Sequence, residues 1–178
     1  MKKIKSVTLS VFINQLFRAM GCSEDDSKVC AEVIMKAELR GITTHGLSRL
    51  PEYISLYETG RVEGANSPFV VRESLSTALI DGNKTFGMVT SFRAMQLAIS
   101  KAKIAGSGWV SVRNSYHFGI AGFYSMLALN ENMIGISMTN ANPLVAPFHG
   151  IKGMLGTNPI SIARSEEHTS ELQSHHDL

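Results

Sequence analysis

The sequence contains little cysteine and no long apolar run. Its 178 residues include two cysteines, Cys22 and Cys30, too few for a disulfide-based scaffold and typical of a reducing compartment, where we expect both thiols to be structural. No segment approaches the roughly 20 consecutive apolar residues that a membrane-spanning helix requires. The basic residues 1–5 lead into an amphipathic segment instead of the apolar region of a secretion signal. We therefore expect a cytoplasmic globular protein that does not enter a membrane.

Several well-known functional motifs are missing as well. The chain has no Gly-x-Gly-x-x-Gly fingerprint, no phosphate-binding loop, no Gly-x-Ser-x-Gly nucleophile elbow and no His-Glu-x-x-His motif. His45, His117 and His149 lack the spacing of metal ligands, and His149 is interpreted as a turn residue. Because no basic run is interleaved with aromatic residues, nucleic acid is not an expected partner. The sequence therefore predicts neither a standard Rossmann cofactor site nor a metal site.

The end of the chain differs in character from the rest. Residues 164–174, Arg-Ser-Glu-Glu-His-Thr-Ser-Glu-Leu-Gln-Ser, have no apolar periodicity and correspond, codon by codon, to a short-read sequencing adapter. We therefore interpret residues 164–178 as an artefact and expect the natural protein to continue beyond Ala163. This tail holds one arginine and four acidic residues, so the preceding part has 16 basic and 11 acidic residues and a net charge of +5 instead of +2.

Apolar periodicity predicts helices in residues 1–60, which we assign to an N-terminal helical segment. A helix over residues 11–20 ends at Gly21, and a capping box at residues 23–26 opens a second helix that ends near Gly41. A third helix is predicted from about residue 46 to residue 58, with Pro51 in its first turns. The residues expected on the inner faces of the second and third helices are Val29, Val33, Ile34, Ala37, Leu39, Leu47, Leu50, Tyr53, Ile54 and Tyr57.

Beyond these helices the pattern changes to alternating strands and helices. Strands are predicted at residues 69–73, 77–82, 109–113, 134–138 and 160–163, and helices at residues 88–105 and 117–130. Alternation of this kind is typical of an α/β fold. Residues 61–163 are therefore expected to belong to an α/β domain.

The most informative motif is Gly-Ile-Thr-Thr-His-Gly-Leu-Ser-Arg at residues 41–49. If the chain is helical from Gly46 onward, His45 and Arg49 lie on one face, because positions i and i+4 are neighbours on a helix. An imidazole exchanges protons near neutral pH, and a guanidinium binds carboxylates through paired N–H groups. The pair therefore suits the interconversion of 2-keto and 2-hydroxy acids. A helix start with a polar histidine and a surface arginine is the alternative.

A second histidine motif lies between a predicted strand and a predicted helix, in Arg-Asn-Ser-Tyr-His-Phe-Gly-Ile-Ala-Gly at residues 113–122. Ligands of layered α/β folds bind at strand ends, and the free N–H groups of a helix start favour anions. His117 is therefore a second candidate site residue. In the alternative interpretation, Asn114 and Ser115 cap the helix and His117 is hydrogen-bonded inside the turn.

Together these motifs resemble the malate/L-lactate dehydrogenase family, which has a non-Rossmann fold and includes ureidoglycolate, sulfolactate and 2,3-diketo-L-gulonate oxidoreductases. The resemblance covers residues 1–163. It rests on residues 40–46 with Arg49, on residues 114–119, and on residues 135–159 with Asn-Ala-Asn-Pro and Gly-Thr-Asn-Pro. Because members of the family are much longer, the resemblance implies that the chain matches only their N-terminal half and that residues 61–163 begin a cofactor and substrate domain that the chain leaves incomplete.

The resemblance implies an oxidoreductase that uses NAD or NADP to interconvert a 2-hydroxy acid and a 2-keto acid, and a homodimer for the complete protein. Of the two histidines, His117 is favoured as the acid/base. The implied site residues are His117 and His45 for catalysis, Arg49 and Thr44 for substrate binding, and Asn140, Ala141, Thr157 and Asn158 for the cofactor. Two alternatives remain: a truncated, catalytically incompetent fragment, or a module of the same fold that only binds anions.

Overall fold

The computed structural model describes residues 4–166 of the chain. Most of the segment interpreted as an adapter, residues 167–178, lies outside the described residues. The helices are α1 (Ser6–Ala19), α2 (Glu24–Leu39), α3 (Leu50–Glu58), α4 (Gly87–Ala105) and α5 (Ala121–Leu127). The strands are β1 (Phe69–Glu73), β2 (Thr77–Asp81), β3 (Trp109–Arg113), β4 (Gly135–Met138) and β5 (Ile160–Ala163). Short 3₁₀ turns occur at Thr43–His45, Leu47–Arg49 and Ala128–Glu131. Within residues 4–166, every helix is too short or too polar to cross a bilayer.

Helices α1 and α2 form where apolar periodicity predicted them, although α1 begins earlier than expected. The predicted cap of α2 is confirmed: the Asp26 N–H donates to Ser23 Oγ at 3.1 Å, and this hydroxyl donates to the Asp26 carboxylate at 2.8 Å. Ser23 thus satisfies one of the free N–H groups of the first helical turn. Asp26 also accepts a hydrogen bond from Arg93 of α4 at 2.8 Å, which fastens α2 to α4.

A single hydrophobic core joins the N-terminal helices to α4 and α5. Its centre is an aromatic cluster of Phe17, Tyr53 and Phe86, whose ring centroids lie 5.0 to 6.3 Å apart. Cys22 and Cys30 are buried free thiols within this core. In this core, Tyr53 of α3 packs against Phe86, the residue that precedes α4.

The predicted inner faces of α2 and α3 are largely correct. Two residues are exceptions: Leu39 is 69% exposed and Tyr57 is 40% exposed. Leu39 ends its helix beyond the last turn that contacts the core, because Gly41, at φ +73°, turns the chain away. Helical periodicity identifies a face, but it does not tell how far the core extends along it.

The strands form two small sheets in the predicted places. In the first sheet, β2 pairs antiparallel with β1 and parallel with β3, and α4 makes the crossover between β2 and β3. In the second, β4 pairs antiparallel with β5, with Gly135 opposite Ala163. Helices pack on strands throughout, which confirms the predicted α/β class.

The predicted helix at residues 117–130 is wrong at its start. Helix α5 begins only at Ala121, and residues 114–120 form a connecting segment. The backbone there cannot be helical, since Asn114 has φ +50° and Gly119 has φ +80°. His117 therefore lies on a loop between β3 and α5 and not in the first turn of a helix.

Candidate active site

The segment that carries His45 and Arg49 is two 3₁₀ turns separated by Gly46, so the predicted continuous helix from Gly46 is wrong. Gly46 has φ −95° and ψ −133°, far from helical values. The reason is the half-buried carboxylate of Glu38 at the end of α2, which accepts a hydrogen bond from the Leu47 N–H at 3.0 Å. A Cβ at Gly46 would lie 2.1 Å from this carboxylate, so any other residue would require the Glu38 side chain to move.

Thr44 brings His45 and Arg49 together without a helix. The Thr44 hydroxyl lies 2.9 Å from Nδ1 of His45, and the Thr44 carbonyl accepts a hydrogen bond from Nε of Arg49 at 2.9 Å. The Arg49 guanidinium also pairs with the carboxylate of Glu52 on α3. The predicted neighbourhood of imidazole and guanidinium therefore exists, but it depends on side-chain-to-backbone bonds across Gly46.

The loop that carries His117 is fastened at its beginning by Asp81, the last residue of β2. The Asp81 carboxylate accepts hydrogen bonds from Arg113 Nε at 2.9 Å, Asn114 Nδ2 at 2.8 Å and the Asn83 N–H at 2.9 Å. Asn114 thus bonds to the neighbouring strand, and the alternative in which it caps the next helix is wrong. These bonds keep the pKa of Asp81 below its usual value of 3.8, the Asn83 N–H contributing most.

The first residue of α4 also restricts the position of the loop that carries His117. A Cβ at Gly87 would lie 2.1 Å from the Tyr116 carbonyl oxygen and 2.6 Å from that of His117. The glycine at the first position of α4 therefore allows the loop backbone to pass directly over the helix end. Strand β2 and helix α4 together therefore determine the position of the His117 backbone.

The two histidine motifs meet although 72 residues separate them in the sequence. The imidazole rings of His45 and His117 lie 5.4 Å apart between centroids, with 33° between their planes. The hydroxyl of Tyr53 lies 2.7 Å from Nδ1 of His117. Two imidazoles, one guanidinium and one phenol therefore face a common site on the N-terminal side of the fold.

The electrostatics of this site favour neutral imidazoles. Burial lowers the pKa of His117 to about 4, assisted by the positive charge of Arg49 and by His45 and opposed by Glu52. Burial and, to a smaller extent, the positive charge of Arg49 also lower the pKa of His45 below 6.5. Near pH 7 the site consequently presents two uncharged rings beside the ion pair of Arg49 and Glu52. An anion bound to Arg49 would reverse part of this effect and raise both pKa values.

The four candidate cofactor residues lie on the connection between β4 and β5. The Ala141 N–H donates to Oδ1 of Asn158 at 2.9 Å, and Asn158 has φ +40°. Within residues 4–166, the exposed side chains of Asn140 and Thr157 have no hydrogen-bond partner. Ala141 and Asn158 therefore hold the connection in shape, and Asn140 and Thr157 keep free polar groups.

A cleft of about 960 Å³ connects this region with the loop that carries His117. Ser115, Tyr116 and Phe118 line one side and Asn140 lines another, whereas His45 and His117 lie outside it. His149, the third histidine among residues 4–166, lies in an exposed turn as predicted, closed by the Gly150 N–H and the Pro147 carbonyl at 2.7 Å. The structure thus joins the two histidine motifs directly and brings only Asn140, among the cofactor candidates, into the adjacent cleft.

The family model for malate/L-lactate dehydrogenase matches residues 4–172. The chain belongs to this family. The last residues of the match, 164–172, overlap the segment that we interpret as an adapter.

Relatives of this chain include L-sulfolactate dehydrogenase from Methanocaldococcus jannaschii, which is 47% identical over 151 residues, or 85% of this chain and 44% of that protein. Hydroxycarboxylate dehydrogenase B from Escherichia coli K12 is 32% identical over 157 residues, or 87% of this chain and 44% of that protein. The structure of malate dehydrogenase from Pyrococcus horikoshii has a TM-score of 0.88 at 45% identity, covering 92% of this chain and 47% of that one. The chain therefore spans less than half the length of these relatives.

Several residues that shape the site are not identified as site residues by the sequence patterns. Tyr53 was predicted only as a core residue, and Glu38, Glu52 and Asp81 were not singled out. One signal was present for Tyr53, because a tyrosine on the inner face of a helix needs a hydrogen-bond partner for its hydroxyl. The sequence does not indicate which residue is the partner of the Tyr53 hydroxyl.

Proposed function

We propose that this chain supplies the substrate and acid/base residues of an NAD(P)-dependent oxidoreductase that interconverts a 2-hydroxy acid and a 2-keto acid. The observation that carries the proposal is the convergence of His45, His117 and Arg49 at one site. Relatives named malate, sulfolactate and hydroxycarboxylate dehydrogenase support the same reaction class. The proposed substrate is a small acid with a hydroxyl or keto group beside its carboxylate.

Arg49 is proposed to bind the substrate carboxylate. Its Nε donates to the Thr44 carbonyl and one terminal nitrogen pairs with Glu52, so its remaining N–H groups are available to an anion. A carboxylate held by paired N–H groups has a defined orientation, which places the neighbouring carbonyl or hydroxyl carbon at a fixed position. Thr44 supports this arrangement from beside His45.

The two histidines are proposed to act on the substrate oxygen. A bound nicotinamide cofactor supplies hydride to the carbonyl carbon during reduction and takes it up during oxidation. The imidazoles hydrogen-bond to this oxygen and one of them supplies or removes its proton, and general acid–base catalysis of this kind typically contributes 10²- to 10⁴-fold in rate. With both rings neutral in the free protein, binding of the anionic substrate favours uptake of the proton that reduction consumes.

The cofactor contacts are proposed at Asn140, Ala141, Thr157 and Asn158. The residues present fit such a role in part: the cleft beside Asn140 has a volume of about 960 Å³, near the upper end of small-molecule sites. Free amide and hydroxyl groups at Asn140 and Thr157 suit the carboxamide and ribose groups of a nicotinamide cofactor. A homodimer and a cytoplasmic location remain predictions for the complete protein.

The proposal is tested by assaying the reading frame extended to the length of its relatives. Oxidation of NADH and NADPH is followed with a panel of 2-keto acids for the wild type, His45→Ala, His117→Ala and Arg49→Ala. We expect turnover to fall at least about 100-fold in each variant, with an unchanged circular dichroism spectrum. His149→Ala, in an exposed turn, is the matched control and should retain wild-type turnover.

Two results would contradict the proposal. One is a folded wild-type protein that turns over none of the 2-keto acids and, in reverse, none of the 2-hydroxy acids. The other is anion binding that depends on Arg49 while both histidine variants keep full function, which would identify a module that only binds anions.

A further inference from the structure

Nδ1 of His117 faces two hydrogen-bond donors. The Tyr53 hydroxyl lies 2.7 Å from it, and the Gly119 backbone N–H donates to it at 3.3 Å. A backbone N–H can only donate, so the nitrogen that it contacts must offer its lone pair. The Tyr53 hydroxyl, which can donate or accept, then donates as well. The proton of the neutral ring must therefore reside on the other nitrogen, Nε2.

Both donors are held in place by the core. Tyr53 is 1% exposed, and its ring packs against Phe17 and Phe86 at centroid distances of 6.0 and 6.3 Å. Gly119 has φ +80°, and a Cβ there would lie 2.4 Å from Cγ1 of Val33 on α2, so its backbone is pressed against that helix. Moving the Tyr53 ring or the Gly119 backbone away from Nδ1 would disturb this buried packing. The fold therefore determines which tautomer of His117 is favoured.

Charged groups around His117 act in the same direction. Arg49 and His45, from the two 3₁₀ turns, disfavour a positive charge on His117, and only Glu52 of α3 favours it. A protonated Nδ1 would also point its hydrogen at the Gly119 N–H. Forming the imidazolium would therefore cost both desolvation and a contact between two donors.

His45 has a different environment. Its Nδ1 faces the hydroxyl of Thr44 at 2.9 Å, and this exposed hydroxyl can accept from a protonated nitrogen or donate to an unprotonated one. His45 can therefore change its protonation state without losing a hydrogen bond.

We propose that Tyr53 and the Gly119 N–H are positioning groups that hold His117 as the neutral Nε2–H tautomer, so that His117 donates a hydrogen bond to the substrate oxygen and keeps its proton. This assignment rests on the proposed function and gives the proton exchange to His45, contrary to the preference for His117 that the family resemblance implied. In reduction, the carbonyl carbon gains a hydride from the cofactor, which is oxidised. The oxygen gains a proton from the His45 imidazolium, which is left neutral, and the His117 N–H bond stays intact.

The tautomer is measured directly by long-range ¹H–¹⁵N correlation spectra of the 178-residue chain labelled with ¹⁵N-histidine. His117→Gln assigns the resonances. We expect His117 to appear as the Nε2–H tautomer and to remain neutral at pH 6, where a free histidine is largely protonated. Tyr53→Phe, which removes only the hydroxyl, should shift part of the population to the Nδ1–H tautomer. Tyr57→Phe, on the exposed side of the same helix, is the control and should leave the spectrum of His117 unchanged.

An Nδ1–H tautomer or an imidazolium in the wild type at pH 6 would overturn the proposal. A Tyr53→Phe spectrum identical to that of the wild type would overturn the role of Tyr53. Both results are independent of turnover, so they remain decisive if the chain proves inactive.

Turnover separates the two histidines once the reading frame is extended. Glutamine keeps an N–H donor but exchanges no proton, so His117→Gln should retain kcat within about tenfold while His45→Gln loses about 1,000-fold. The opposite pattern would overturn the assignment of roles. Absence of turnover in the wild type would contradict the proposed function and the proton transfer from His45, and the spectra alone would then judge the tautomer.

Discussion

The hydroxyl of Tyr53 lies 2.7 Å from Nδ1 of His117, a residue 64 positions further along the chain. This bond connects α3 to the loop between β3 and α5, and the ring of Tyr53 at the same time belongs to the aromatic centre of the core. The orientation of the candidate catalytic ring is therefore coupled to the packing of the N-terminal helices. Substitutions in this network should affect stability and activity together, whereas substitutions at the exposed end of the site should affect activity alone.

Arg49→Lys should weaken substrate binding without unfolding the protein. A lysine keeps the positive charge but loses the paired N–H groups and the bond from Nε to the Thr44 carbonyl. We expect KM for the 2-keto acid to rise about 10- to 100-fold, as loss of about 1.4 to 2.8 kcal/mol of binding would produce. Arg72→Lys on β1 is the matched control, and an equal KM for Arg49→Lys and the wild type would contradict carboxylate binding by Arg49.

Gly119→Ala should destabilise the fold and misplace His117. The new Cβ would meet Val33, and the backbone at φ +80° disfavours any L-residue. Strain and overlap together predict a loss of about 2 to 4 kcal/mol in the free energy of unfolding, measured by urea denaturation. Gly60→Ala, at φ +66° with no atom within 4 Å of the new Cβ, should lose only about 1 kcal/mol. Equal losses in both variants would show that Val33 does not restrict the loop.

Asp81→Asn should lower stability in a pH-dependent way. The folded-state pKa of Asp81 lies below 3.8, so the contribution of the carboxylate is present above that pH and is lost as the pH falls through the folded value. The thermal midpoint of the variant should therefore lie below that of the wild type at pH 7 and approach it on acidification below pH 3.8. Asp25→Asn, at the exposed start of α2, should change the midpoint little at either pH. A constant difference between Asp81→Asn and the wild type would refute the role of the ionised carboxylate.

His117 should make the fold sensitive to mild acid. Its pKa of about 4 in the folded state lies below the usual 6.5, so the unfolded state binds more protons between these values and the free energy of unfolding falls as the pH drops from 6.5 to 4. Allowing for solvent screening of the half-buried ring, we expect a loss of about 2 kcal/mol. His117→Gln should remove this part of the pH dependence in urea denaturation, whereas His149→Gln should follow the wild type. An identical pH dependence in His117→Gln would contradict a buried, neutral His117.

Local sequence patterns were sufficient for most helices and strands. The capping residue Ser23, strand β2 and helix α4 are encoded within a few neighbouring residues, because hydrogen bonds of helices and turns are local and side-chain periodicity reveals the buried face. The same reasoning placed His45 and Arg49 near each other, since only four positions separate them. Where it assumed a helix through Gly46 it was wrong, because the Glu38 carboxylate that interrupts the helix comes from another element.

The assembly of the site was decided by tertiary structure alone. No spacing rule relates Tyr53 to His117 or Asp81 to Asn114, since the first pair meets beside the hydrophobic core and the second at the ends of two paired strands. The sequence by itself therefore determined which chemical groups the protein carries and which local elements present them. The folded core determined which nitrogen of His117 contacts Tyr53, because packing of the buried Tyr53 ring places its hydroxyl 2.7 Å from Nδ1.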